Sequence, residues 1–140
     1  MTFSVILPTH NGAPYIRTML DSIAAQTYKD YELIVICDAC TDDTARIALE
    51  YTSKVIEIDA HNAGLARTAG LDAASGDWIL FADDDDYFLH EFAFQLIADK
   101  LGDEDVLCFS FIQRGIRYAT PLGNSTSRSE ERRVGKECRS

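Results

Sequence analysis

The chain is short of basic residues, of long apolar runs and of paired cysteines, and each shortage removes a class of function. Its 13 Lys and Arg face 23 Asp and Glu, for a formal charge of −10. A protein that neutralises nucleic-acid phosphates needs the opposite balance, so nucleic acid is excluded as a partner. No apolar stretch approaches the roughly 18 residues needed to span a bilayer, and no transmembrane segment is expected. Met1-Thr2-Phe3-Ser4 carries no basic segment and no cleavage pattern. That predicts no signal peptide and a cytoplasmic protein, with a peripheral seat at the membrane as the alternative. Cys37 and Cys40 form a C-x-x-C with no second ligand pair at similar spacing, which argues against zinc. Free thiols are the expectation in a reducing compartment. A thioredoxin-like motif at a helix start competes with it, but the flanking residues fit another pattern better.

What is present is one domain's worth of chain, 140 residues with 46% hydrophobic content, enough to bury a core. Its organising stretch is Trp78-Ile79-Leu80-Phe81-Ala82, which runs straight into Asp83-Asp84-Asp85-Asp86. A short continuous apolar run predicts a buried strand covered on both faces. The carboxylates then stand where the strand leaves the sheet. Adjacent like charges repel, so a bound cation would stabilise them, and a hard divalent metal takes carboxylate oxygens. The simpler account is a solvated acidic turn that caps the next helix.

The rest of the chain alternates. Phe3 to Leu7, Leu33 to Cys37 and Val55 to Ile58 are apolar and β-branched, and predict strands. Ile16, Met19, Leu20 and Ile23 recur at helical spacing, which predicts a helix over about 13–26. Further helices are expected from a cap at Thr41 or Asp42 to about Tyr51, from the His61–Gly64 loop to Ala74, and over about 89–101. Val106 to Ile112 reads as one more strand. This order predicts an α/β fold with a mainly parallel sheet. Right-handed crossovers would bring Thr9, His10, Asn11, Asp38 and Asp83 to Asp86 to one sheet edge, where such folds bind ligands.

After Gly123 the periodicity fades. Residues 128–140 carry five of the basic residues and little apolar surface. The segment is similar to the in-frame translation of a sequencing-adapter oligonucleotide. It is expected to be a non-native, disordered tail behind a domain of residues 1–127.

Four segments in order resemble the family 2 glycosyltransferases of the GT-A fold. They are Ser4-Val5-Ile6-Leu7-Pro8-Thr9-His10-Asn11, Leu20 to Tyr28, Glu32 to Thr44, and Asn62 to Arg67 followed by Gly76 to Asp86 with its DxD. The likeness covers about residues 2–112. Where the family usually has two acids and then Gly-Ser after the second strand, this chain has Cys37-Asp38-Ala39-Cys40, and His90 stands where proline is common.

The resemblance implies transfer of a sugar, with inversion, from a nucleotide-diphosphate-sugar donor of UDP type to a saccharide or lipid-linked acceptor. It implies Mn2+ or Mg2+ held by Asp85 and Asp83, and donor contacts from Thr9, Asn11, Asp38, Arg67, Asp83 and Asp84. Asp38 is expected to accept a hydrogen bond from the base, and Arg67 to approach base or diphosphate. The family's catalytic base lies in a later half, so the chain is expected to be the inactive donor-binding part of a truncated domain. The alternative is a nucleotide-sugar-binding module without catalysis. A phosphatase with a strand-end Asp-x-Asp fits less well, because that motif belongs on a first strand with a following Thr, whereas Tyr87 follows here. A nucleotidyltransferase lacks its Gly-rich loop after strand one.

Overall fold

The computed structural model describes residues 1–101 and the strand residues 111–113 and 116–118. Two compact units divide the chain, Met1–Ala98 and Asp99–Ser140. The first holds β1 (Phe3–Thr9), α1 (Ile16–Ala24), β2 (Tyr31–Asp38), α2 (Thr44–Ala48), β3 (Val55–Ile58), α3 (Ala63–Ala73) and β4 (Trp78–Phe81). Helix α4 (Ala93–Lys100) follows, then β5 (Phe111–Gln113) and β6 (Ile116–Tyr118), which pair antiparallel with each other. Of the expected strand 106–112, residues 106–110 lie outside the described residues, as does the whole of 128–140.

The sheet order is β3-β2-β1-β4, all parallel. Strand β1 thus has β2 on one side and β4 on the other, and the chain switches direction across it. Alternation along the strands sends Ile6, Ile34 and Ile36 to one face, where Ala66 of α3 joins them in a buried cluster. Helix α3 comes unusually close because Gly70 has no side chain; a Cβ there would stand 2.4 Å from Ile6 Cγ2. The residues that alternate with these, Val5, Leu7, Leu33 and Val35, are also buried, as are Ile16, Met19, Leu20 and Ile23 along α1. On that side Phe94 of α4 meets the rings of Phe3, Tyr31 and Phe88 at centroid distances of 6.0, 5.2 and 5.0 Å.

Two expectations need correction. Strand β4 is not covered on both faces: Leu80 is buried, while Ile79 and Phe81 are 36% and 46% exposed. It is one of the two edge strands of the four, and a continuous apolar run cannot say how many faces are covered. Helix α4 begins at Ala93 rather than near Leu89, because the intervening backbone is bonded to α1 and its exit. Gln26, fully buried, donates through Nε2 to the carbonyls of Ser22 and His90 and accepts the Phe94 N–H at 3.0 Å. The Thr27 N–H donates to the Glu91 carbonyl, and the Phe88 N–H to Ser22 Oγ.

Candidate functional site

Every strand of the parallel sheet ends at the same edge, and three loops leave that edge by sharp turns. Asn11, Ala39 and His61, one in each loop after β1, β2 and β3, take φ values of 49°, 52° and 49°. A non-glycine residue in this left-handed region costs about 1–3 kcal/mol unless its surroundings hold it there. At this edge opens a cleft of about 510 Å³, lined by His61 but not by Asn11 or Ala39, within the ordinary range for a small-molecule site.

The cleft wall includes Thr9, Asp38, Arg67, Asp83, Asp84 and Asp85. Asn11 is not brought into that wall. Its Oδ1 accepts the Thr41 N–H at 2.8 Å, so its side chain faces the neighbouring loop. Sequence reasoning assigned no role to Tyr15, His61 or Asn62, which also line the cleft. Only Asn62 left a signal, as a helix N-cap: its Oδ1 accepts the N–H groups of Gly64 and Leu65 at 2.8 and 3.1 Å.

Asp38, at the end of β2, organises the loop after β3. Its Oδ1 accepts the N–H groups of Ala60 and His61 at 2.7 and 2.9 Å, and its Oδ2 accepts that of Asn62 at 2.7 Å. Burial pushes its pKa up, but these donors, with His61 nearby, outweigh it and hold the carboxyl below its usual value. An ionised carboxylate has about four acceptor sites, so one remains for a ligand. Beside it, His10 Nδ1 meets the Asp38 carbonyl at 2.7 Å and therefore carries the proton. The His10 and His61 rings lie 5.9 Å apart.

The acidic stretch closes the other side. Arg67, one turn into α3, donates to Asp83 Oδ1 at 2.8 Å. The Thr9 hydroxyl donates to Asp84 Oδ2. Gly12 makes room for that contact, since a Cβ there would sit 2.4 Å from Thr9 Oγ1 and 2.7 Å from Asp84 Oδ2. Burial, with the charges of Asp85 and Asp83, raises the Asp84 pKa against the pull of the Thr9 hydroxyl. Asp86 is raised by burial and by its three acidic neighbours. The Asp84 charge, then burial and Asp85, raise the Tyr15 phenol in turn. Among the described residues, the stretch is thus under-compensated by cations. Among the described residues no group of three or more His, Cys, Asp and Glu is arranged to hold a metal unaided. Mg2+-type sites, however, use one or two carboxylates together with substrate phosphates and water. Asp83 and Asp85 fit that donor set.

Comparison with known proteins places these features in context. Residues 4–136 match the model of glycosyl transferase family 2. Glycosyltransferase GlyA of Streptococcus pneumoniae is 38% identical over 94 residues, which are 64% of this chain and 14% of that protein. The crystal structure of S. aureus TarS 1–349 in complex with UDP-GlcNAc superposes with a TM-score of 0.66 at 34% identity, over 71% of this chain and 30% of that one. The mannosyltransferase PcManGT of Pyrobaculum calidifontis, in complex with GDP-Man and Mn2+, gives a TM-score of 0.60 at 26% identity, over 64% and 29%. The chain therefore spans well under half the length of these relatives.

Proposed function

The chain belongs to glycosyl transferase family 2, and from that premise we propose that it forms the donor site of an enzyme that transfers a sugar from a nucleotide-diphosphate-sugar. Its fold is of the GT-A type, as in the TarS and PcManGT structures. The observation that carries the reading is the under-compensated acidic stretch on the wall of the cleft. A diphosphate is itself anionic and would be repelled there, so the two become compatible only through a shared cation. A bound Mn2+ or Mg2+ would neutralise charge on the diphosphate leaving group as the glycosidic bond breaks.

The chain's own residues supply the rest. Asp83 and Asp85 would hold the cation, and Arg67, bonded to Asp83, would offer its planar guanidinium to the diphosphate or base. Asp38 keeps one acceptor site for a base N–H such as uracil offers, and Thr9 seats the base while orienting Asp84. Transfer proceeds with inversion to a saccharide or lipid-linked acceptor. As the family resemblance implies, the base that deprotonates the acceptor comes from a later part of the protein. The same implication supports a second reading for this chain taken by itself, namely donor binding without transfer.

Calorimetry with UDP and GDP tests the proposal. UDP should bind in the presence of Mn2+ and lose most of its affinity when the ion is chelated. Equal affinity with and without chelator would overturn the cation assignment, and tighter binding of GDP would overturn the base assignment.

A further inference from the structure

Cys40 occupies a junction that the donor-site reading does not explain. Its Sγ accepts the Asn11 backbone N–H at 3.3 Å and donates its proton to the Thr9 carbonyl at 3.6 Å. Asn11 answers through its side chain, whose Oδ1 accepts the Thr41 N–H at 2.8 Å and the Thr41 hydroxyl at 3.4 Å. One rung further along, the Ala13 N–H donates to Asp42 Oδ2 at 3.1 Å. These contacts stitch the loop after β1 to the loop after β2. Both loops turn through a left-handed non-glycine residue, Asn11 and Ala39, so both need holding. The stitched backbone carries Thr9, whose hydroxyl reaches Asp84 across the cleft.

We infer that Cys40, acting through Asn11 and Thr9, is a positioning residue for the donor cleft, and that its free thiol makes the cleft sensitive to alkylation. The inference rests on the proposed donor site. The thiol serves as donor and acceptor at once, which an alkylated sulfur cannot do, and the added group would also push the two loops apart. Cys37, buried beneath it, has a thiol pushed up to about 12 by burial and by Cys40, so it stays protonated and shielded. Iodoacetamide would therefore choose Cys40 of the two: a sulfur–carbon bond forms, iodide leaves, and the thiol proton passes to solvent.

The test uses the full chain with its other two cysteines replaced, Cys108→Ser and Cys138→Ser, as background. Cys40→Ala should weaken Mn2+-dependent UDP binding several-fold, less than the roughly 10–100-fold of a residue bonded directly to a metal ligand, because it acts through Thr9 and Asp84. It should also speed amide exchange at Asn11, while the melting temperature stays near that of the background. Cys40→Ser, whose hydroxyl can both donate and accept, should restore affinity and protection. Iodoacetamide should reproduce the loss in the background protein and spare Cys40→Ser. Background-level UDP affinity in Cys40→Ala, or failure of Cys40→Ser to rescue at an unchanged melting temperature, would overturn the inference. If the background protein itself binds no UDP, the donor reading fails, and exchange decides the stitch alone: unchanged Asn11 protection in Cys40→Ala would remove it.

Discussion

Glu32, at the end of the parallel sheet where the strands begin, and the acidic stretch at the opposite end are treated by the fold in opposite ways. At the end where the strands begin, Glu32 of β2 receives the Lys54 ammonium, the Ser4 and Ser75 hydroxyls and the N–H groups of Ser75 and Gly76. Burial alone would raise its pKa, but the Lys54, Ser4 and Ser75 donors reverse this and bring it to about 2. Nearby, Asp77 accepts the Thr2 N–H at 2.8 Å, and Asp30 accepts the Thr2 hydroxyl at 2.9 Å and the terminal ammonium at 3.4 Å. At the opposite end, Asp83 to Asp86 have one guanidinium and one side-chain hydroxyl among the donors described, and Asp84 and Asp86 are held above their ordinary range. Donor number separates a carboxylate that holds the fold together from one that the proposed donor site would use for a cation. Residue type does not.

Three substitutions sharpen or break this contrast. The largest effect is expected for Asp85→Asn, which should lower Mn2+-dependent UDP affinity by about 100-fold or more, since even partners one step removed from a metal are worth about 10–100-fold. Its melting temperature without nucleotide should stay unchanged. A large stability loss would place Asp85 with the structural carboxylates.

Glu32→Gln should do the reverse. Hydrogen bonds to a charged group are worth about 1.5–3 kcal/mol, so urea unfolding should show a loss of that order with UDP affinity intact. The pH dependence follows from the depressed pKa. The Glu32 contribution is present above its unfolded value, roughly 4.3, and is lost as pH falls through about 2. The variant should therefore show a flatter acid limb between those values, and an unchanged limb would dismiss Glu32 as its source.

The smallest effect is expected for Asp84→Asn. Because the folded-state pKa of Asp84 is raised, its charge opposes folding at neutral pH, and that cost disappears as pH falls into the carboxylate range. The variant should melt slightly higher than wild type at pH 7 by calorimetry. A lower melting temperature would mean that the charge, and not only the Thr9 hydrogen bond, is structurally needed.

Much of this was legible in the residues. Apolar runs and helical spacing marked β1 to β4 and α1 to α3, and the strand-end acids marked the edge that carries the cleft. Partners were harder to read. Asp38 binds three backbone N–H groups of a loop, and backbone donors leave no trace in composition. Asn11 looked like a ligand contact because polar residues at strand ends often are, yet its side chain closes one loop on another. The exposure of Ile79 and Phe81 depends on strand order, which local sequence does not encode. Gln26 read as a helix exit, with nothing to mark it as the tie between α1 and the backbone more than sixty residues later.

That tie has a consequence for the acidic stretch. The Ala82 N–H is bonded to the Ile6 carbonyl at 3.0 Å, and the Phe88 N–H to Ser22 Oγ at 3.1 Å. Residues 83–87 therefore run between two pegs like a short bridge deck, propped on the way by Arg67 at Asp83 and Thr9 at Asp84, with Gln26 as the bolt just beyond the far abutment. A span so short would have little slack to surrender if the proposed ion docked there. Loosening the bolt by Gln26→Ala would lengthen the deck, and the cation would then have to gather a wandering ribbon before it could be gripped.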